Sequence, residues 1–85
     1  MAVLDQNRTE IQWDTYLATA YAEGFCEGEE ATNEEQLEAW AYLIRTGTAW
    51  QLQGWFGRAA NQLIDNGLID TEGTIDWDLF DDLSE

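Results

Sequence analysis

Eighty-five residues make one domain, and a 45% hydrophobic content with five Trp, three Tyr and three Phe supplies a core without staples. Eighteen carboxylates against three arginines, with no lysine and no histidine, give a formal net charge of −15. That field disfavours nucleic acid and anionic membranes as direct partners, and the aromatic content argues against a disordered acidic chain.

The first helix is predicted from about Thr9 to about Glu23. Thr9 and Gln12 have the spacing of a capping box, and Trp13, Tyr16, Leu17, Ala20 and Tyr21 follow an amphipathic stripe. Gly24 is the expected stop, and Phe25 to Ala31 reads as a glutamate-rich connecting loop. The second helix starts with Thr32 as N-cap and Glu35 at N3, and buries Leu37, Trp40, Ala41 and Ile44. Arg45 sits in its last turn and Gly47 follows in the left-handed position.

A third helix is expected to begin at once, with Thr48 and Gln51 repeating the capping box. Its apolar side is Leu52, Trp55, Phe56, Ala59, Ala60 and Leu63. Gly67 ends it, and Leu68 is placed to fold back in a Schellman motif. Beyond it two readings stay open: a very short β-hairpin near residues 68–77 around Thr71-Glu72-Gly73, or an irregular loop. In the second, Asp76 caps a last short helix displaying Trp77, Phe80 and Leu83. The fold class is all-α, a small bundle of three to four helices in a single acidic domain spanning 1–85, with an acidic tail over about 70–85.

The charge is segregated along the chain. Glu23, Glu27, Glu29, Glu30, Glu34, Glu35 and Glu38 form one cluster; Asp65, Asp70, Glu72, Asp76, Asp78, Asp81, Asp82 and Glu85 form another. Ala39 to Ile64 between them holds no acid, only Arg45 and Arg58, and is rich in aromatics. From these clusters the candidate partner-binding carboxylates are Glu23, Glu27, Glu29, Glu30 and Glu34 with Asp70, Glu72, Asp76, Asp78, Asp81 and Asp82. They fit a basic protein surface.

Catalysis has few parts to draw on. Without His or Lys the commonest general bases and the Schiff-base amine are missing, and paired carboxylates carry little signal in a chain this acidic. No enzyme activity and no cofactor are expected. Asp70 to Phe80 has the glycine and the Gly-x-Ile step of an EF-hand loop. The alignment, however, puts Leu68 and Leu79 where that loop needs oxygen ligands, so no metal site is expected. Cys26, the single cysteine, excludes an internal disulfide and fits a reducing cytoplasm. Its acidic surroundings favour a small apolar role over a reactive thiol. No signal peptide is visible, and no apolar run approaches the roughly 18 residues that span a bilayer.

The most distinctive stretch is Trp50-Gln51-Leu52-Gln53-Gly54, followed by Gly57-Arg58. Gly54 and Gly57 share a helix face at a cost of up to about 1 kcal/mol each, which points to a close approach, most simply within the domain. Arg58 is expected to pair with a flanking carboxylate. With Gly47-Thr48-Ala49 before it and Gly67-Leu68-Ile69 after it, this stretch resembles a family of very short bacteriophage proteins of unknown function. The resemblance covers Leu43 to Ile69 and departs from the family at Trp55 and Phe56. It treats the N-terminal aromatic helix and the acidic tail as additions. It implies a phage origin and a cytoplasmic life in an infected bacterium.

Three readings of function compete. The leading one is an acidic, DNA-mimic-like inhibitor or modulator of a basic nucleic-acid-binding host protein. The alternative is a structural or assembly protein forming homo-oligomers through aromatic faces. In the third, the acidity reflects solubility or adaptation to salt.

Overall fold

A computed structural model describes residues 9, 11–24, 29–52 and 54–84. Four α-helices lie among them: α1 (Thr15–Glu23), α2 (Asn33–Arg45), α3 (Gly54–Asp65) and α4 (Trp77–Ser84), with a short 3-10 turn at Thr48–Trp50 before α3. They contain no strand; a single antiparallel bridge joins Ile69 to Ile75.

α2 is the central element. Its N-terminus carries the expected capping box: the Glu35 N–H donates to Thr32 Oγ1 and the Thr32 N–H donates to Glu35 Oε1. The expected stripe of Leu37, Trp40, Ala41 and Ile44 is buried, and Glu38, Ala39 and Leu43 are buried with it. More than half of the helix circumference is therefore covered. α1 packs on α2, and the fully buried Ala18 and Ala39 are small enough to let helices come close. Gly24 ends α1 in the left-handed region, its N–H donating to the Ala20 carbonyl.

α1 begins six residues later than the sequence suggests. Asp14 is its N-cap, accepting from the Leu17 N–H at 2.7 Å. Thr9 does not cap it, because both its N–H and its hydroxyl donate to the Glu38 carboxylate. The predicted stripe is buried in part: Ala20 is buried and Trp13 and Tyr21 pack against the core, whereas Tyr16 is exposed and Ala18, outside the stripe, is fully buried.

α3 also starts late. The Thr48 hydroxyl meets that of Thr46 at 2.8 Å rather than capping a helix, and Gly47 to Trp50 turns as a 3-10 segment. The extra corner lets Phe56 and Ala60 reach the core, where Phe56 and Trp55 flank Trp40. The end of α3 follows the sequence reading. The Gly67 N–H donates to the Ile64 carbonyl and the Leu68 N–H to that of Leu63, the two bonds of a Schellman motif.

Both readings of the tail contribute. The Asp70 N–H donates to Thr74 and the Asp76 N–H to Leu68, closing a one-bridge hairpin whose Ile69 and Ile75 are buried. Asp76 then caps α4, accepting from the Leu79 N–H at 3.1 Å. The hairpin rests on α2 through Gly73, which is buried at φ +84; a Cβ there would lie 2.6 Å from Arg45 Cβ and 2.8 Å from the Ala41 carbonyl oxygen. Only glycine fits that contact.

Candidate interaction surfaces

The two acidic clusters fold differently. In the first, Glu23, Glu29 and Glu30 are exposed, Glu34 is half-buried in the first turn of α2, and Glu27 lies outside the described residues. Glu35 is held in the capping box. Glu38 is fully buried, its Oε1 accepting from the Thr9 hydroxyl at 2.6 Å and the Trp13 indole N–H at 3.2 Å, its Oε2 from the Thr9 N–H at 2.8 Å. Trp13 in turn packs edge-on against Tyr21. This carboxylate, counted with the acidic surface from sequence, ties the segment before α1 to α2. A sign of it was present: Glu38 stands between Leu37 and Ala39-Trp40-Ala41, inside the apolar side of the helix.

In the second cluster, Asp70, Asp76 and Asp78 come together around an open groove of about 500 Å³ that Gly67, Thr74, Ile75 and Trp77 also line. Two of the three have structural duties. Asp70 Oδ1 accepts from the Glu72 and Thr74 N–H groups at 2.9 Å each, and Asp76 caps α4. Glu72 is exposed on the hairpin. Asp78, Asp81 and Asp82 stand three and four residues apart, on one face of α4. Among the described residues no carboxylate of the first cluster lines this groove. Among the described residues no group of three or more His, Cys, Asp or Glu side chains is arranged to hold a metal ion.

The acid-free centre of the chain is largely core. Eight of its residues, from Ala39 and Trp40 to Phe56 and Ala60, belong to the buried cluster, so burial itself accounts for much of the missing charge. Its exposed remainder is a different surface. Trp50 is 48% exposed and Trp55 38% exposed. Trp50 lies against Gly57, a Cβ there meeting its ring at 3.6 Å, so the close approach is internal. Gly54 opens α3 instead of lying inside it, and the Arg58 guanidinium folds back over it. Gln51 is exposed and Leu52 half-buried against the core, while Gln53 lies outside the described residues. The expected pairing of Arg58 is not found: no carboxylate among the described residues forms an ion pair with it. Within α3 itself the one carboxylate is Asp65, two turns away.

A second groove of about 300 Å³ runs between α2, α3 and the tail, with Trp40, Leu63 and Phe80 among its walls and Gln36, Gln62 and Asn66 supplying amides. No carboxylate among the described residues lines it. Among the described residues no helix is long and apolar enough to cross a membrane.

Fold and sequence together define a small all-α domain with a formal net charge of −15. The chain belongs to the family described as a domain of unknown function, DUF7417, whose model matches residues 25–83. No curated protein and no solved structure matches it. The matched stretch runs from the approach to α2 into α4. The match therefore includes most of the acidic tail, and α1 lies outside it.

Proposed function

We propose that this protein is a phage-encoded acidic interaction protein that binds a basic, nucleic-acid-binding host protein and inhibits or modulates it. It acts in the cytoplasm of the infected bacterium, and it acts by occupying a surface rather than by catalysis. The observation that carries this reading is the outer face of α4. Asp78, Asp81 and Asp82 fall within five residues, about 7.5 Å of helix axis, or one carboxylate per roughly 2.5 Å. Duplex DNA presents one phosphate per about 1.7 Å of axis. Asp70, Asp76 and Glu72 extend the same field onto the hairpin, and no cation is found from Asp70 onward.

Such a face attracts a phosphate-binding surface over several ångströms and holds it by pairs that salt screens. The test is affinity capture from host lysate at low salt, followed by competition with duplex DNA. The expected result is a basic nucleic-acid-binding protein, released by DNA and by added salt. Recovery only of proteins indifferent to both overturns the reading.

A second reading, an assembly protein forming homo-oligomers through aromatic faces, is favoured by the exposure of Tyr16, Trp50, Trp55 and Leu83. Tyr16, Trp50 and Trp55 lie on other elements than α4, and Leu83 alone shares that helix with the acids.

A further inference from the structure

The exposed side of α3 is self-complementary in charge. Gly54, Arg58, Asn61, Gln62 and Asp65 are all solvent-exposed, and at 3.6 residues per turn they fall within about 100° of the helix circumference. Trp55 stands at the edge of that arc, 38% exposed. The arc holds one cation and one carboxylate. Seven residues separate them, about 10.5 Å along the axis, too far to pair within one helix. Neither forms an ion pair with any described residue.

We propose that this face is a self-association surface, on which a second copy docks its own α3 in antiparallel orientation. In that arrangement position 58 of one chain lies opposite position 65 of the other. A single two-fold axis therefore makes two identical Arg58–Asp65 pairs. The guanidinium and carboxylate match as a two-pronged hydrogen-bonded pair.

The charge of the whole chain selects this face over others. Two molecules at −15 repel wherever carboxylates meet carboxylates. From Ala39 to Ile64 there is no acid, so approach along α3 sets the fewest like charges against each other. The face is small. Six residues per copy fall short of the roughly 800 Å² per partner of a standard interface, so the dimer forms and dissociates with concentration.

This inference is independent of the acidic-face reading, and salt separates the two. Binding to a basic partner weakens as salt rises. Self-association of two −15 chains strengthens, because the long-range repulsion is screened while the contact is short-ranged.

The experiment is sedimentation equilibrium of the full chain across concentration, at about 0.05 and about 0.3 M salt. The expected result is a monomer–dimer equilibrium that tightens at the higher salt. Arg58→Asp and Asp65→Arg each weaken it about tenfold or more, by setting like charges opposite one another. The double variant keeps the net charge of −15 and restores the dimer to within about threefold of the parent. Both positions are exposed, so circular dichroism and melting temperature stay at parental values in all three variants. A chain that sediments as a monomer at every concentration up to about 1 mM overturns the proposal. So does a double variant that dimerises no better than the singles.

Discussion

The two acidic clusters look alike as sequence and behave as opposites in the fold. The one around α2 turns carboxylates toward the protein: Glu35 closes a capping box and Glu38 is buried against Thr9 and Trp13. The one around α4 turns them outward. Asp70 and Asp76 spend one oxygen each on backbone N–H groups and still face solvent, and Asp78 and Asp82 are exposed. The difference lies in the neighbours. Glu38 sits on a helix that is apolar on most sides, so its carboxylate reaches inward and needs donors; the α4 acids alternate with Trp77, Phe80 and Leu83 and occupy the other face. Acidity alone therefore says little about function, and position on the helix decides.

Breaking the inward cluster has the largest expected effect. Glu38→Ala leaves two donors of Thr9 and the indole N–H of Trp13 without their acceptor, at a cost of about 3–5 kcal/mol. Glu38→Gln keeps one acceptor oxygen and costs about 1–2 kcal/mol. Urea unfolding followed by tryptophan fluorescence measures both. A loss below about 0.5 kcal/mol for the alanine variant would show that these bonds do not hold the N-terminal segment.

The outward cluster depends on the hairpin staying against α2, and Gly73 is where that contact is tightest. Gly73→Ala combines a left-handed φ with a Cβ 2.6 Å from Arg45 Cβ, for an expected loss of about 2–4 kcal/mol. Gly47→Ala is the comparison. Its φ is similar, at +79, but nothing lies within 4 Å of its Cβ position, so only the backbone cost of about 1–2 kcal/mol applies. Hydrogen exchange separates them further: Gly73→Ala speeds exchange across Ile69–Ile75 and α4, and Gly47→Ala does not. Equal exchange in both variants would remove the hairpin's dependence on that contact.

The helix caps give a smaller, matched pair. Thr32→Ala removes one half of the α2 capping box and Asp76→Ala removes the cap of α4, about 1 kcal/mol each. Thermal melts decide whether both ends are equally coupled to global stability. A drop for Thr32→Ala alone would mark α4 as a unit that opens by itself.

What was legible in the sequence divides along the same line. Features fixed within four or five residues read correctly: the Thr32–Glu35 box, the left-handed Gly47, the Schellman close at Gly67-Leu68 and the Asp76 cap. Features decided by distant partners did not. Thr9 and Gln12 have the spacing of a box, yet Thr9 is claimed by a carboxylate 29 residues away. Thr48 and Gln51 have it too, and Gly47 instead leads into a 3-10 turn that lets Phe56 reach Trp40. The groove shared by Asp70, Asp76 and Asp78 was hidden for the same reason, since the hairpin that gathers them is held by Gly73 on α2. Local grammar gives helix ends; it does not say which of two possible ends the tertiary fold will use.

The smallest effect on stability carries the sharpest test of the comparison. Replacing Asp78, Asp81 and Asp82 by Asn removes three charges from α4, and replacing Glu23, Glu29 and Glu30 by Gln removes three from the first cluster. Asp78 and Asp82 are exposed and Asp81 half-buried, and Glu23, Glu29 and Glu30 are exposed. Each triple variant should unfold within about 1 kcal/mol of the parent, since exposed charges contribute little singly. Both then carry a net charge of −12, from −15 plus three neutralised acids. Titration with an oligolysine peptide at low salt tells whether charge number or charge placement matters. If α4 presents an organised face, its triple variant loses at least about threefold more affinity than the other and shows the shallower salt dependence. If the acidity serves only solubility or salt tolerance, the two variants weaken alike, because a diffuse field depends on net charge alone.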